Sequence, residues 1–164
     1  MKIKALMNPV IAVMLLTVLF SCKKDDNYTI ENKEVTGTMT YVTQSSVPIE
    51  FDQNNVPITL QISMEGSGTI SDLGELHMVT SFKFSLLTMQ GWDFQNTYTG
   101  NDPDDTFTAT GASKLDQNFS GYMLEMLNNG TGKFENIIGN GKSLIQILPD
   151  QSGGTGEVKW TITY

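Results

Sequence analysis

The stretch Gly156-Glu157-Val158-Lys159-Trp160-Thr161-Ile162-Thr163-Tyr164 (GEVKWTITY) sets large apolar side chains and polar ones in strict alternation. Successive side chains of an extended chain point to opposite faces. Val158, Trp160, Ile162 and Tyr164 therefore share one face, and Glu157, Lys159, Thr161 and Thr163 the other. A helix would scatter both sets around its axis. The stretch reads as a half-buried β-strand that ends on an aromatic residue.

The same rule carries outward along the chain. Ile58, Leu60, Ile62 and Met64 alternate with Thr59, Gln61, Ser63 and Glu65, and similar runs occupy 36–42, 76–87, 94–99, 106–110, 132–136 and 142–147. Turn chemistry rich in Asn, Asp and Gly separates them at 54–55, 66–68, 101–105, 128–130, 140–141 and 152–154. One segment reads two ways. Leu115, Phe119, Tyr122 and Met126 keep a helical spacing around Gly121, whereas Tyr122, Leu124 and Met126 alternate as a strand. A strand over 119–127 is the favoured reading, a helical turn before it the alternative. Eight or nine short strands with no convincing long helix predict an all-β fold over 36–164, an antiparallel barrel of about eight strands, with a β-sandwich as the alternative. A barrel has no free edges, which suits an exported β-protein.

Ahead of this domain, Lys2 and Lys4 precede an apolar run from Asn8 to Phe20. The run falls short of the ~20 residues a bilayer span needs and has the length of a secretory signal core. It ends in Leu19-Phe20-Ser21-Cys22, which resembles the lipobox of bacterial lipoproteins. The resemblance implies that 1–21 are a signal peptide and that Cys22 is acylated and becomes the new N-terminus. An ordinary signal peptide or an N-terminal anchor helix with an incidental cysteine is the alternative. The polar stretch 23–35 is nearly free of core-sized residues, so 22–35 reads as a flexible tether between lipid and domain. Lys23-Lys24-Asp25-Asp26-Asn27 is similar to the leader of Bacteroidetes-type lipoproteins, which implies outer-membrane anchoring, with the cell surface and the periplasmic leaflet both open.

Charge narrows the partners. The chain has 10 lysines, no arginine and 18 acidic residues, a net of −8; without 1–21 it keeps 8 lysines against 18 acids, a net of −10. Nucleic acid is bound through cations that neutralise phosphates, so this chain is not expected to bind it. Anionic lipid surfaces should repel it as well, leaving Cys22 as the membrane attachment. Cys22 is the only cysteine, so once acylated it leaves no thiol for a disulfide, a thiolate zinc site or cysteine catalysis.

Gly-x-Gly recurs at 66–68, 130–132 and 154–156. Glycine within a strand pattern marks a bulge, a sharp corner or a close backbone approach, and no Lys-Ser/Thr pair follows as a nucleotide loop requires. The run Asn129-Gly130-Thr131-Gly132-Lys133-Phe134-Glu135-Asn136-Ile137-Ile138-Gly139-Asn140-Gly141 resembles the G-T-G-x-F-x-x-A-x-G run of allene oxide cyclase-like and dirigent-like barrels, with Ile138 where a small residue is usual. The resemblance implies an eight-stranded antiparallel barrel with an apolar interior. The motif is structural, so no catalytic residue comes with it.

Candidate chemistry is sparse. His77, the only histidine, has a pKa range suited to a general base, with a plain surface histidine as the alternative. Asp102, Asp104 and Asp105 crowd one turn and offer oxygen ligands to Ca²⁺, though Pro103 suits a solvated turn. Trp92, Asp93, Tyr98 and Phe107 combine aromatic faces with a carboxylate, as a carbohydrate or small planar ligand would want; aromatics filling a barrel end are the alternative. Glu65, Glu125 and Glu135 lie in or beside strands, and any that points inward becomes a functional candidate. No catalytic set and no cofactor motif emerges. The expectation is a lipid-anchored envelope barrel that binds a small apolar or carbohydrate ligand. An isomerase or cyclase with its site in the barrel, or an assembly partner, are the alternatives, and oligomeric state stays open.

Overall fold

The computed structural model describes residues 32–163. The expected signal segment 1–21, Cys22, most of the expected tether and Tyr164 lie outside the described residues. Eight strands follow one another: β1 (Lys33–Phe51), β2 (Pro57–Ile70), β3 (Gly74–Ser85), β4 (Gln90–Thr99), β5 (Thr106–Leu115), β6 (Ser120–Asn128), β7 (Ile138–Ile147) and β8 (Gly153–Thr163). Each pairs antiparallel with the next, and β8 returns to β1, closing the ring. The all-β barrel read from the sequence is the fold. The ring closes within 33–163, and among the described residues its buried apolar core is drawn from that span.

Alternation decides the faces. Val158, Trp160 and Ile162 turn inward and are buried, as the terminal stretch requires. β1 opens at Lys33, three residues ahead of the expected start at 36, because Val35 is fully buried opposite Trp160 in the β1–β8 ladder. Segment 119–127 is essentially β6, entered through the turn at 116–119.

Three glycine-rich segments depart from expectation. The strand expected at 132–136 is a 3₁₀ turn, Gly132–Phe134. Gly132 takes φ +58°, a left-handed conformation that suits glycine, and the Lys133 N–H donates to Asp105 Oδ1 at 2.8 Å. The turn drives Phe134 into the core, edge-on to Phe107 with centroids 5.0 Å apart. The breaks expected at 66–68 and 140–141 are continuous strand within β2 and β7. A Cβ on Gly66 would stand 2.8 Å from the Tyr41 ring, and one on Gly141 only 2.2 Å from Trp160. These glycines make room inside the barrel for aromatic rings; they do not turn the chain.

The ends of the barrel differ. At one end Phe134, Ile137, Leu73 and Ile70 are buried beside the start of β1 and plug the lumen. At the other, β1 runs past β8 as an arm backed by β2, which stays paired with β3 along the same stretch. Thr43 makes the last bond to the β7–β8 loop, its N–H donating to the Ser152 carbonyl at 2.9 Å. From 44 to 51, β1 pairs with β2 alone. That free edge is interrupted by bulges at Thr43/Ser45 and Pro48/Glu50 and by Pro48, devices that discourage pairing with another strand.

Candidate functional site

At the middle of the lumen sits a carboxylate. Glu125 on β6 points inward and is 2 % exposed, while Leu124 and Met126 beside it face outward. Its cross-strand neighbours are Gly111 on β5 and Gly141 on β7, which leave the carboxylate room to reach across. Four donors meet it. Asn96 Nδ2 (2.8 Å) and the Tyr98 hydroxyl (2.5 Å), both from β4, donate to Oε1. Trp160 Nε1 of β8 (3.1 Å) and Ser143 Oγ of β7 (3.2 Å) donate to Oε2. Thr80 Oγ1 on β3 donates to Asn96 Oδ1 at 2.5 Å, extending the network to a fifth strand.

Burial raises the Glu125 pKa, and the hydrogen bonds from Tyr98, Asn96, Trp160 and Ser143 oppose the rise without reversing it. Burial is also the main cause, with the nearby Glu125 charge adding to it, that pushes the Tyr41 and Tyr98 hydroxyls well above their ordinary value, so both stay protonated. The folded state thus holds a proton on Glu125 more tightly than the unfolded chain, where a glutamate titrates near ~4.3. The stability this group contributes is full below that unfolded value and is lost as pH rises through the folded one. In paired unfolding measurements across pH, the advantage of the native chain over Glu125→Gln should therefore be greatest at low pH and shrink as pH rises. An advantage that grew with pH would contradict this.

Toward the arm end the lumen opens into a cavity of about 90 Å³. Its wall is almost wholly apolar, with Phe82, Phe84, Phe94, Leu115, Phe119 and Ile145 prominent and Met64, Met78 and Met123 supplying flexible, polarisable side chains. Phe82 and Phe94 stack with centroids 4.3 Å apart. Tyr41, Thr80, Asn96 and Ser113 bring the polar atoms to this lining, with Gln151 in the loop at the rim.

The residues marked in the sequence do not gather at one place. Tyr98 and Phe107 stack at 4.8 Å and both meet Trp160 edge-on, filling the barrel centre. Trp92 is half-buried beside the β3–β4 irregularity, where Asp93 takes φ +57° and pairs with Lys83 at 2.9 Å. His77 is exposed, 4.0 Å from Glu65 on the neighbouring strand. Asp102 accepts the Asp104 N–H at 3.0 Å, and Asp105 is engaged by Lys133. Among the described residues no group of three or more His, Cys, Asp or Glu side chains is arranged to hold a metal ion. Of the three glutamates, Glu65 and Glu135 are exposed and Glu125 alone is buried.

Sequence reasoning passed over Tyr41, Asn96 and Ser113. A signal existed for two of them: Tyr41 is flanked in register by Gly66 and Gly154, and Ser113 faces Gly91. Outside the barrel, Tyr122, Leu124, Met126 and Leu144 form an exposed apolar strip on β6 and β7.

Comparison of the chain with protein-family models, with curated proteins and with solved structures returns no match. The chemistry of the barrel itself therefore carries the functional reading.

Proposed function

We propose that this is a lipid-anchored cell-envelope barrel, held to the outer membrane through Cys22, that binds a small apolar ligand in its open end. The observation that carries the reading is the cavity of about 90 Å³ at one mouth of an otherwise filled lumen. Ligand sites are concave, mostly apolar and furnished with a few polar groups, and this cavity has that make-up. Of the two ligand classes expected, the apolar one has the better support, because a carbohydrate would need many more polar partners than the wall offers. The enzyme reading has weaker support. Glu125 is buried with polar partners, yet four protein donors already occupy its oxygens. The outer strip on β6 and β7 favours a second reading, an assembly surface.

The test is a titration of the chain from Lys23 onward with ethylbenzene, followed through methionine methyl signals in NMR. Saturable shifts at Met64, Met78 and Met123, weakened at least ~10-fold in Ile145→Trp, whose indole fills the mouth, are expected. No saturable shift at these methyls would overturn the binding reading. Separately, Cys22→Ala should release the full-length protein from the membrane fraction, and retention would overturn the anchor.

A further inference from the structure

The cavity holds two hydroxyls that the protein leaves unused. Ser113 is 7 % exposed and Tyr41 5 % exposed, and both line the cavity. Neither side-chain oxygen has a hydrogen-bond partner among the described residues, whereas the buried hydroxyls of Thr59, Thr80, Tyr98 and Ser143 all have one. Among the described residues no fully enclosed side-chain nitrogen or oxygen lacks a partner, so these two oxygens front open space. That space is the cavity. Tyr41 stands on β1 and Ser113 on β5, on opposite walls of the eight-stranded ring.

Both positions are built for their side chains. Tyr41 lies between inward glycines: a Cβ on Gly156 would stand 2.8 Å from its hydroxyl oxygen, and one on Gly66 2.8 Å from its ring. A Cβ on Gly91 would come within 2.5 Å of Ser113 Oγ. Both side chains are nine-tenths buried and no protein group takes their hydroxyl protons, so only what enters the cavity can supply the bond. A ligand whose polar end reaches this depth would supply it.

Resting on the binding role proposed above, we infer that the cavity selects a neutral molecule with an apolar body and an acceptor oxygen, a carbonyl or ether, which enters oxygen first and takes hydrogen bonds from Tyr41 and Ser113. The donor character of Tyr41 is secure, since burial and the adjoining Glu125 keep its proton on. An anionic head is disfavoured for a related reason. The layer beneath the two hydroxyls already contains the Glu125 carboxyl group, and no Lys, Arg or His lines the cavity to pair with a second one. Size limits what enters: a benzene ring occupies an apolar cavity of about 150 Å³, so a space of about 90 Å³ takes the oxygen-bearing end and part of the body, and the rest of a ring stands in the open mouth.

Three probes of one shape separate the possibilities: ethylbenzene, acetophenone with its neutral carbonyl, and benzoate. For the chain from Lys23 onward, acetophenone should bind about 10-fold tighter than ethylbenzene, as one or two net hydrogen bonds allow, and benzoate weakest of the three. Ser113→Ala and Tyr41→Phe should each weaken acetophenone about 3- to 10-fold relative to ethylbenzene, and the cooperative unfolding of each variant reports that it is folded. Equal binding of ethylbenzene and acetophenone, insensitive to both variants, would overturn this inference and leave the apolar pocket standing. Benzoate binding as tightly as acetophenone would overturn the neutral-head requirement. Binding of none of the three would overturn pocket and inference together.

Discussion

Glu125→Ala is expected to destabilise the barrel by about 3–5 kcal/mol, the combined cost of several buried donors left without an acceptor. The substitution removes the single acceptor group on which Asn96, Tyr98, Ser143 and Trp160 converge. Each donor left unsatisfied in a dry interior costs ~1–3 kcal/mol. The four costs do not add in full, because the adjoining cavity can admit water and the Ser143 hydroxyl can rotate. For a chain of this size the loss should lower the melting temperature by roughly 10–15 °C. Glu125→Gln should cost less, about 1–3 kcal/mol: one oxygen can still serve Asn96 and Tyr98, but the amide N–H₂ then confronts the Trp160 N–H. Thermal and urea unfolding of both variants would check this. An alanine variant within about 1 kcal/mol of the native chain, the value of one ordinary hydrogen bond, would show the network is not a keystone.

Trp160→Ala should be of similar severity, about 3–5 kcal/mol, from a different cause. The indole is fully buried, meets Tyr98 and Phe107 edge-on at 5.3 and 6.1 Å, and occupies the space that Gly141 vacates. Nothing nearby can collapse into such a void without moving strands. Trp160→Phe keeps most of the ring and removes the N–H donor, so it isolates the polar part at about 1 kcal/mol. Because the two residues touch, their effects should not be additive. The combination of Trp160→Phe with Glu125→Gln should cost less than the separate losses together, since the first change removes the donor that the glutamine amide would oppose. Strict additivity would mean that Trp160 does not restrain the Glu125 side chain.

The barrel was legible because period-two alternation survives in nearly every strand and turn-forming residues punctuate it. The interior was not, and the reason is specific. On β6 both faces are apolar: Tyr122, Leu124 and Met126 face outward, while Glu125 faces in between Met123 and Leu127. Hydropathy cannot reveal this, since the donors that make Glu125 tolerable come from β4, β7 and β8, far away in sequence. The glycines misled for a related reason. At 66–68 and 140–141 they read as turns, yet each lies across the ladder from a large inward side chain: Gly66 from Tyr41, Gly68 from Met39, Gly141 from Trp160. A narrow lumen cannot hold two large residues side by side, so bulk on one strand calls for its absence on the next. That complementarity is a property of register, and register is fixed only when the ring closes. Trp92, Asp93 and His77 were marked by residue type alone, and the fold distributes them over its outside.

The polarity of β1 carries a further consequence. The strand enters the ring at the plugged end, beside Ile162, and leaves it at the open rim as the arm. A lipid on Cys22 would lie eleven residues upstream of Lys33, with 23–32 between them, a reach of at most about 40 Å. It would moor the molecule by its sealed base and turn the doorway away from the bilayer. A guest would then arrive from the aqueous side, without passing sideways out of the lipid, and the barrel would stand at the membrane as an outward-facing cup.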